Sequence, residues 1–203
     1  MQINFQRTFG QDEAKESLRQ ALSGKRFPHA LLIHGEPGLG QHALMLDLAQ
    51  ILSCESDQVR PCGRCFSCRA FHKASLESVH YLIPLLKKEK AGEKSPEGDE
   101  EEIKSAFTEL SPAQIDELAG LIKEWHAQPY GFGVSEKSMV RVPQAREMMG
   151  RLSYSGDRGR NRIILVPYLE ALNSSAANAL LKTLEEPASD VYFIIGSENR
   201  TNL

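Results

Sequence analysis

Residues 30 to 42 read Ala30-Leu31-Leu32-Ile33-His34-Gly35-Glu36-Pro37-Gly38-Leu39-Gly40-Gln41-His42, and the rest of the chain is organised around them. Ala30 to Ile33 has the composition of a buried strand. From Gly40 to Leu52, apolar residues recur at Leu44, Leu48, Ile51 and Leu52, the spacing of a helix. The glycines therefore lie where a strand feeds a helix N-terminus, a place whose free N–H groups suit a phosphate. The phosphate-loop pattern G-x-x-x-x-G-K-[ST] adds a lysine for the β- and γ-phosphates and a hydroxyl for Mg²⁺. Gly35, Gly38 and Gly40 supply the cradle, but Gln41 stands at the lysine position and His42 at the hydroxyl position. Loss of one charged hydrogen bond weakens binding by ~1.5 to 3 kcal/mol, before the metal is counted. The loop reads as a phosphate loop stripped of its chemistry.

A second stretch carries the same message. Arg162-Ile163-Ile164-Leu165-Val166-Pro167-Tyr168 is an apolar strand suited to the inside of a parallel sheet. In a nucleotide-hydrolysing domain it would end in acids that hold Mg²⁺ and poise water. Pro167 and Tyr168 occupy those positions, and Glu170, two residues further on, is expected to point elsewhere. Charge at the loop and acid at the strand end are two separate losses, so nucleotide turnover is not expected and ATP binding is disfavoured.

All four cysteines of the chain fall between residues 54 and 68: Cys54, Cys62, Cys65 and Cys68. Cys-x-x-Cys-x-x-Cys gathers three thiolates through tight turns, and Cys54 at a helix end completes a tetrahedron suited to structural Zn²⁺. Two disulfides or an iron–sulfur cluster would use the same residues, but a cytoplasmic protein favours zinc. His72 and His80 read as packing residues rather than further ligands.

The chain has 203 residues, 41% hydrophobic and 25% charged, with a net charge of -3 and a pI near 6.1. This is ordinary globular composition, and the acidic balance argues against a surface coated for non-specific DNA binding. The N-terminus lacks an apolar leader and no run of about 18 apolar residues occurs, so no membrane association is expected and the cytoplasm is the expected location.

Further elements follow from periodicity. Residues 11–22 form an amphipathic helix ended by Gly24, and residues 79–83 a second core strand. Residues 87–104 are nearly free of large apolar side chains and are expected to be a disordered surface stretch. Ser111-Pro112-Ala113-Gln114 then opens a helix by capping box and N1 proline, with a core stripe of Ile115, Leu118, Leu121, Ile122 and Trp125. A helix from Pro143 presents Ala145, Met148, Met149 and Leu152. The turn after it carries Arg158, Arg160 and Arg162, which either touch a phosphate backbone or are solvated. Asn173-Ser174-Ser175 caps a helix ended by Pro187, and Val191 to Ile195 is another core strand. Strands near residues 30, 80, 163 and 192 predict an α/β fold, a parallel doubly wound sheet with helices on both faces.

Phe9-Gly10-Gln11, His29-Ala30-Leu31-Leu32, the glycine loop, the four cysteines and above all residues 174–187, SSAANALLKTLEEP, resemble the clamp-loader AAA+ subunits of bacterial DNA polymerase III. The resemblance covers most of the chain outside residues 87–137, which match no general family motif. It implies an AAA+ P-loop type three-layer fold with a parallel sheet and an inserted zinc-binding module over residues 54–72. The AAA+ domain would span residues 1–203 and be incomplete at its C-terminal end.

Motor subunits of that family keep the loop lysine and the acidic strand end, whereas the delta prime branch has lost them. Gln41, His42, Pro167 and Tyr168 place the chain with the latter. The implied role is to brace the delta subunit and face a gamma/tau motor subunit in the assembly that opens a sliding clamp and loads it onto primed DNA. A motor subunit with divergent motifs and a zinc-dependent nucleic-acid-binding module are the competing readings.

Overall fold

The structure, a computed structural model, describes residues 1–24, 26–86, 110–154 and 160–198. The expectations for residues 87–104 and Arg158 lie outside these. At the centre is a four-stranded, fully parallel sheet of β2 (Ala30–His34), β8 (Val191–Ser197), β7 (Arg162–Val166) and β4 (Val79–Tyr81), in that spatial order. All four strands foreseen from the apolar runs are present. Parallel neighbours need crossover connections, so the helices must cover both faces.

The side-chain alternation of β7 shows how the two cores divide. Ile163 and Leu165 point into one cluster with helix α2 (Gln41–Ser53) and Trp125 of α4 (Pro112–Ala127). Ile164 and Val166 point into the other, with Ala145, Met148 and Leu152 of α5 (Val142–Tyr154) and Ala176 and Leu180 of α6 (Ser174–Glu185). The result is a three-layer arrangement. Helix α1 (Asp12–Ser23) lies over the first cluster through half-buried Leu18 and Leu22, as its stripe foretold.

Burial in helix α2 extends beyond the apolar residues Leu44, Leu48, Ile51 and Leu52: every residue from Gln41 to Leu52 is buried, polar Asp47 and Gln50 included. The apolar spacing exposed only the sheet-facing stripe, because the other faces are covered by the N-terminal segment, α3 (Phe66–His72) and α4. Asp47 shows what that burial requires. Its carboxylate accepts the backbone N–H of Gln6 (3.2 Å), Arg7 (3.0 Å) and Thr8 (2.9 Å), the Thr8 hydroxyl (2.8 Å) and the Arg7 guanidinium (3.3 Å). A short parallel pairing of β1 (Gln2–Ile3) with β3 (Val59–Arg60) holds the same segment from its other end.

β5 (Leu85–Leu86) pairs antiparallel with β6 (Ser138–Met139), which brings Leu86 and Ser138 side by side. Helix α4 begins as foreseen, with the Gln114 side chain accepting the Ser111 N–H at 2.9 Å. Its stripe is only partly core. Trp125 is fully buried and Leu118, Leu121 and Ile122 are half-buried, but Ile115, in the first turn of the helix, is 53% exposed and lines an open cleft with Leu118, Val79 and Met148. Gly196 in β8 permits the closest approach at the sheet's C-terminal edge, since a Cβ there would lie 2.6 Å from the Pro167 carbonyl oxygen.

Candidate functional site

The glycine loop lies between β2 and α2, at the C-terminal edge of the sheet, where ligands of open α/β folds bind. Gly38 and Gly40 adopt left-handed backbone at φ 81° and 93°, which a β-carbon would strain, and Gly40 is the N-cap of α2. Gly35 continues β2 by donating its N–H to the Ser197 carbonyl at 3.3 Å. The loop thus delivers the first turn of α2 to the sheet edge, the geometry its glycines foretold.

The two residues that replace the lysine and hydroxyl are both buried and turn inward. Gln41 donates from Nε2 to Glu198 Oε1 at 3.1 Å, while its Oε1 lies 3.0 Å from where a Gly35 Cβ would sit. His42 is ringed by aromatics, edge-on to Tyr168 at 4.9 Å, Phe132 at 5.5 Å and Trp125 at 5.8 Å between ring centres. Burial lowers its pKa, opposed by the Pro167 carbonyl and the charge of Glu170, so the ring is held neutral. The Trp125 indole donates to the His42 carbonyl at 3.2 Å and stacks on Phe132 at 5.1 Å.

The strand-end positions are likewise filled by packing. Tyr168 is buried and donates its hydroxyl to the Phe132 carbonyl at 3.2 Å, and burial raises its pKa. Glu170 corrects the sequence reading. After Tyr168 the chain makes a 3₁₀ turn over Leu169–Ala171, which swings Glu170 back over the sheet edge instead of away from it. Its Oε1 accepts the Glu198 N–H at 3.1 Å, and its charge acts on His42 and Glu198. Burial, and then that neighbouring charge, raise the Glu198 pKa. Gln41 Oε1, His42 Nε2 and Glu170 Oε2 are buried without a hydrogen-bond partner among the described residues.

Glu198 and Tyr130 were missed by the sequence reading. Periodicity marks neither, since both are brought to the loop only by tertiary folding. Asp47 was missed as well, although a lone acid in an apolar helix was a usable signal.

The four cysteines converge as their spacing foretold. Cys54 closes α2, Cys65 caps α3, and all four Sγ atoms lie within 4.8 Å of one another with no disulfide formed. Tetrahedral Zn–S bonds of about 2.3 Å place sulfurs nearly 4 Å apart, so the cluster can hold such an ion with small adjustments. Backbone N–H groups of Cys62, Cys65 and Cys68 donate to Cys54, Cys62 and Cys65 sulfurs at 3.3, 3.4 and 3.3 Å, a pattern that favours thiolates. Burial raises the Cys54 and Cys68 pKa values. At Cys62 burial is outweighed by donors from Arg64 and Cys65, which bring it down to about 6.

Of the arginine turn, Arg162 is not available to a phosphate: its guanidinium forms a two-pronged pair with Asp190 at 2.8 Å on both prongs. Arg160 lies against Glu55 at 3.6 Å and over the Phe66 ring. No helix among the described residues is long and apolar enough to cross a membrane.

The sequence profile of the family described as "DNA polymerase III, delta subunit" matches residues 10–203. The chain belongs to that family. Within it, the DNA polymerase III subunit delta′ of Yersinia pestis is 28% identical over 176 residues, 86% of this chain and 37% of the relative. The delta′ subunit of Haemophilus influenzae is 26% identical over 175 residues, 86% of the chain and 38% of its own length. The DNA polymerase III tau subunit of Escherichia coli is 26% identical over 200 residues, 98% of the chain and 23% of that subunit. The chain thus spans less than two-fifths of the delta′ relatives it resembles here. The parallel three-layer α/β fold is the AAA+ type that the clamp-loader resemblance implied, and the branch favoured by the matches is delta′.

Proposed function

We propose that this chain is the AAA+ part of a non-catalytic delta′ subunit of the DNA polymerase III clamp loader. It braces the delta subunit and a gamma/tau motor subunit in the cytoplasmic assembly that opens the sliding clamp and loads it onto primed DNA. One observation carries the absence of turnover. The lysine and hydroxyl positions of the loop are filled by Gln41, tied to Glu198, and by His42, held neutral among four aromatic and carbonyl neighbours. Neither can offer a cation to a phosphate or a hydroxyl to Mg²⁺. Pro167 and Tyr168 leave the two strand-end positions without an acid, and Glu170 beside them has one oxygen engaged with the Glu198 N–H and the other unpartnered among the described residues.

On this reading residues 1–203 belong to one AAA+ domain. Residues 54–72 are a structural zinc module within it, held by Cys54, Cys62, Cys65 and Cys68 as a closed four-sulfur site with no open position for catalysis. Residues 87–137 are an insertion, entered and left through the β5–β6 pairing.

The likeness to tau over nearly the whole chain supports a second reading, a motor subunit with divergent motifs. Calorimetry with Mg-ATP separates the two. No micromolar binding by the natural chain, with binding gained in a Gln41→Lys, His42→Thr, Pro167→Asp variant, supports the bracing role. Micromolar binding by the natural chain establishes a nucleotide-responsive subunit in its place.

A further inference from the structure

Tyr130 comes from the insertion, ninety residues beyond the glycine loop, and yet it packs directly on that loop. A Cβ on Gly40 would lie 3.0 Å from Tyr130 Cε1 and 3.0 Å from its hydroxyl, so any side chain there would crowd the ring. The hydroxyl accepts the Phe9 backbone N–H at 2.7 Å, and the Phe9 and Tyr130 rings lie 5.9 Å apart. One aromatic ring thus covers the N-cap glycine and takes a main-chain donor from the N-terminal segment. An aromatic ligand with an acceptor atom would make the same two contacts.

Both flanks of Tyr130 are anchored to the first turn of α2. Trp125 is fully buried and reaches the His42 carbonyl, and Phe132 stacks on Trp125 while its own carbonyl accepts from Tyr168. Between them the chain turns at Gln128 to Gly131, where the Gly131 N–H donates to the Gln128 carbonyl at 3.1 Å. The ring itself is 36% exposed, and it is held at the loop through these two clamped neighbours in the chain.

We infer that Tyr130 is a built-in occupant of the glycine loop, with residues 125–132 acting as a strap that holds the first turn of α2 in place of a bound ligand. The inference rests on reading the loop as non-hydrolysing, and it adds a second obstacle to nucleotide. Restoring the lost lysine and hydroxyl leaves the loop still covered. A ligand must then displace Tyr130, and its apparent affinity falls to its intrinsic value times the fraction of molecules in which the ring has swung away.

The test is Mg-ATP calorimetry on this chain, on Gln41→Lys/His42→Thr, and on the same pair combined with Tyr130→Ala. The triple variant is expected to bind about tenfold or more tighter than the double. Equal affinity of the two would overturn the strap. Micromolar binding by the natural chain would instead overturn the reading of the loop, so the two failures are distinct. Amide hydrogen exchange over residues 38–44 supplies a readout that needs no nucleotide. Tyr130→Ala is expected to speed exchange there about tenfold, and Tyr130→Phe, which keeps the ring but loses the acceptor, less so. Unchanged protection in Tyr130→Ala would refute the strap even if no variant bound nucleotide.

Discussion

Replacing Asp47 by Asn should damage this fold more than any conservative change at the glycine loop. The carboxylate is 1% exposed and accepts from three consecutive backbone N–H groups, a hydroxyl and a guanidinium that is itself mostly buried. Asparagine keeps one oxygen but turns an NH₂ group toward these donors, although the Arg7 guanidinium retains Gln50 Oε1 at 2.6 Å as a second acceptor. At least one charge-assisted hydrogen bond is lost, at ~1.5 to 3 kcal/mol, and a repulsive donor–donor contact is created. Arg7 is left beside a neutral group, and breaking such a buried pair is typically worth ~3 to 5 kcal/mol in all. Domains of this size lose ~2 to 4 °C of Tm per kcal/mol, so the midpoint should fall by roughly 6 to 20 °C.

Thermal unfolding followed by far-ultraviolet circular dichroism reads this directly. Arg7→Ala alone should fall less, because the backbone donors keep their acceptor. Exchange should also rise at residues 6–8 before global unfolding, since Asp47 is the tie between that segment and α2. An Asp47→Asn protein melting within about 1 °C of the natural chain would show that the N-terminal segment does not depend on the clamp.

Stability should decline as pH falls from 7.5 to 5.5. Burial lowers the pKa of His42, and brings His80 and His126 down to about 4 with help from Arg151, Arg162, Arg7 and His72. The unfolded chain takes up protons near pH 6.5 that the native state refuses, so stability is complete above that value and is lost below it. Urea midpoints at pH 7.5, 6.5 and 5.5 check this, and a flat profile would contradict it. Metal analysis of protein purified without chelator should find about one zinc per chain, and Cys62→Ser should reduce that content and lower the melting temperature. Less than half an equivalent in the natural chain would rule out the four-sulfur site.

Much of this molecule is legible in local sequence because its decisive features are local. Apolar runs bounded by turn residues mark β2, β4, β7 and β8, since a strand buried on both faces must be apolar along its length. The glycines of the loop are dictated by backbone conformation at Gly38 and Gly40, and the cysteine spacing alone brings four sulfurs together through tight turns. Where contacts come from distant residues, the same reasoning fails. Ile115 repeats at helical spacing yet stays exposed at the rim of a cleft, and Glu170 returns to the loop because of a 3₁₀ turn that its own residues do not announce.

The sequence by itself determined the α/β class, the missing lysine and acids, and the four cysteines able to hold a metal ion, because each depends on residue identity at short spacing. Tertiary structure alone decided what replaces the missing chemistry: Gln41 tied to Glu198, His42 sealed by Trp125 and Phe132, and Tyr130 laid on Gly40. Those partners lie 83 to 157 residues away along the chain. Side chains so far apart carry no shared periodicity, and only the packing of the folded chain brings them to one edge of the sheet.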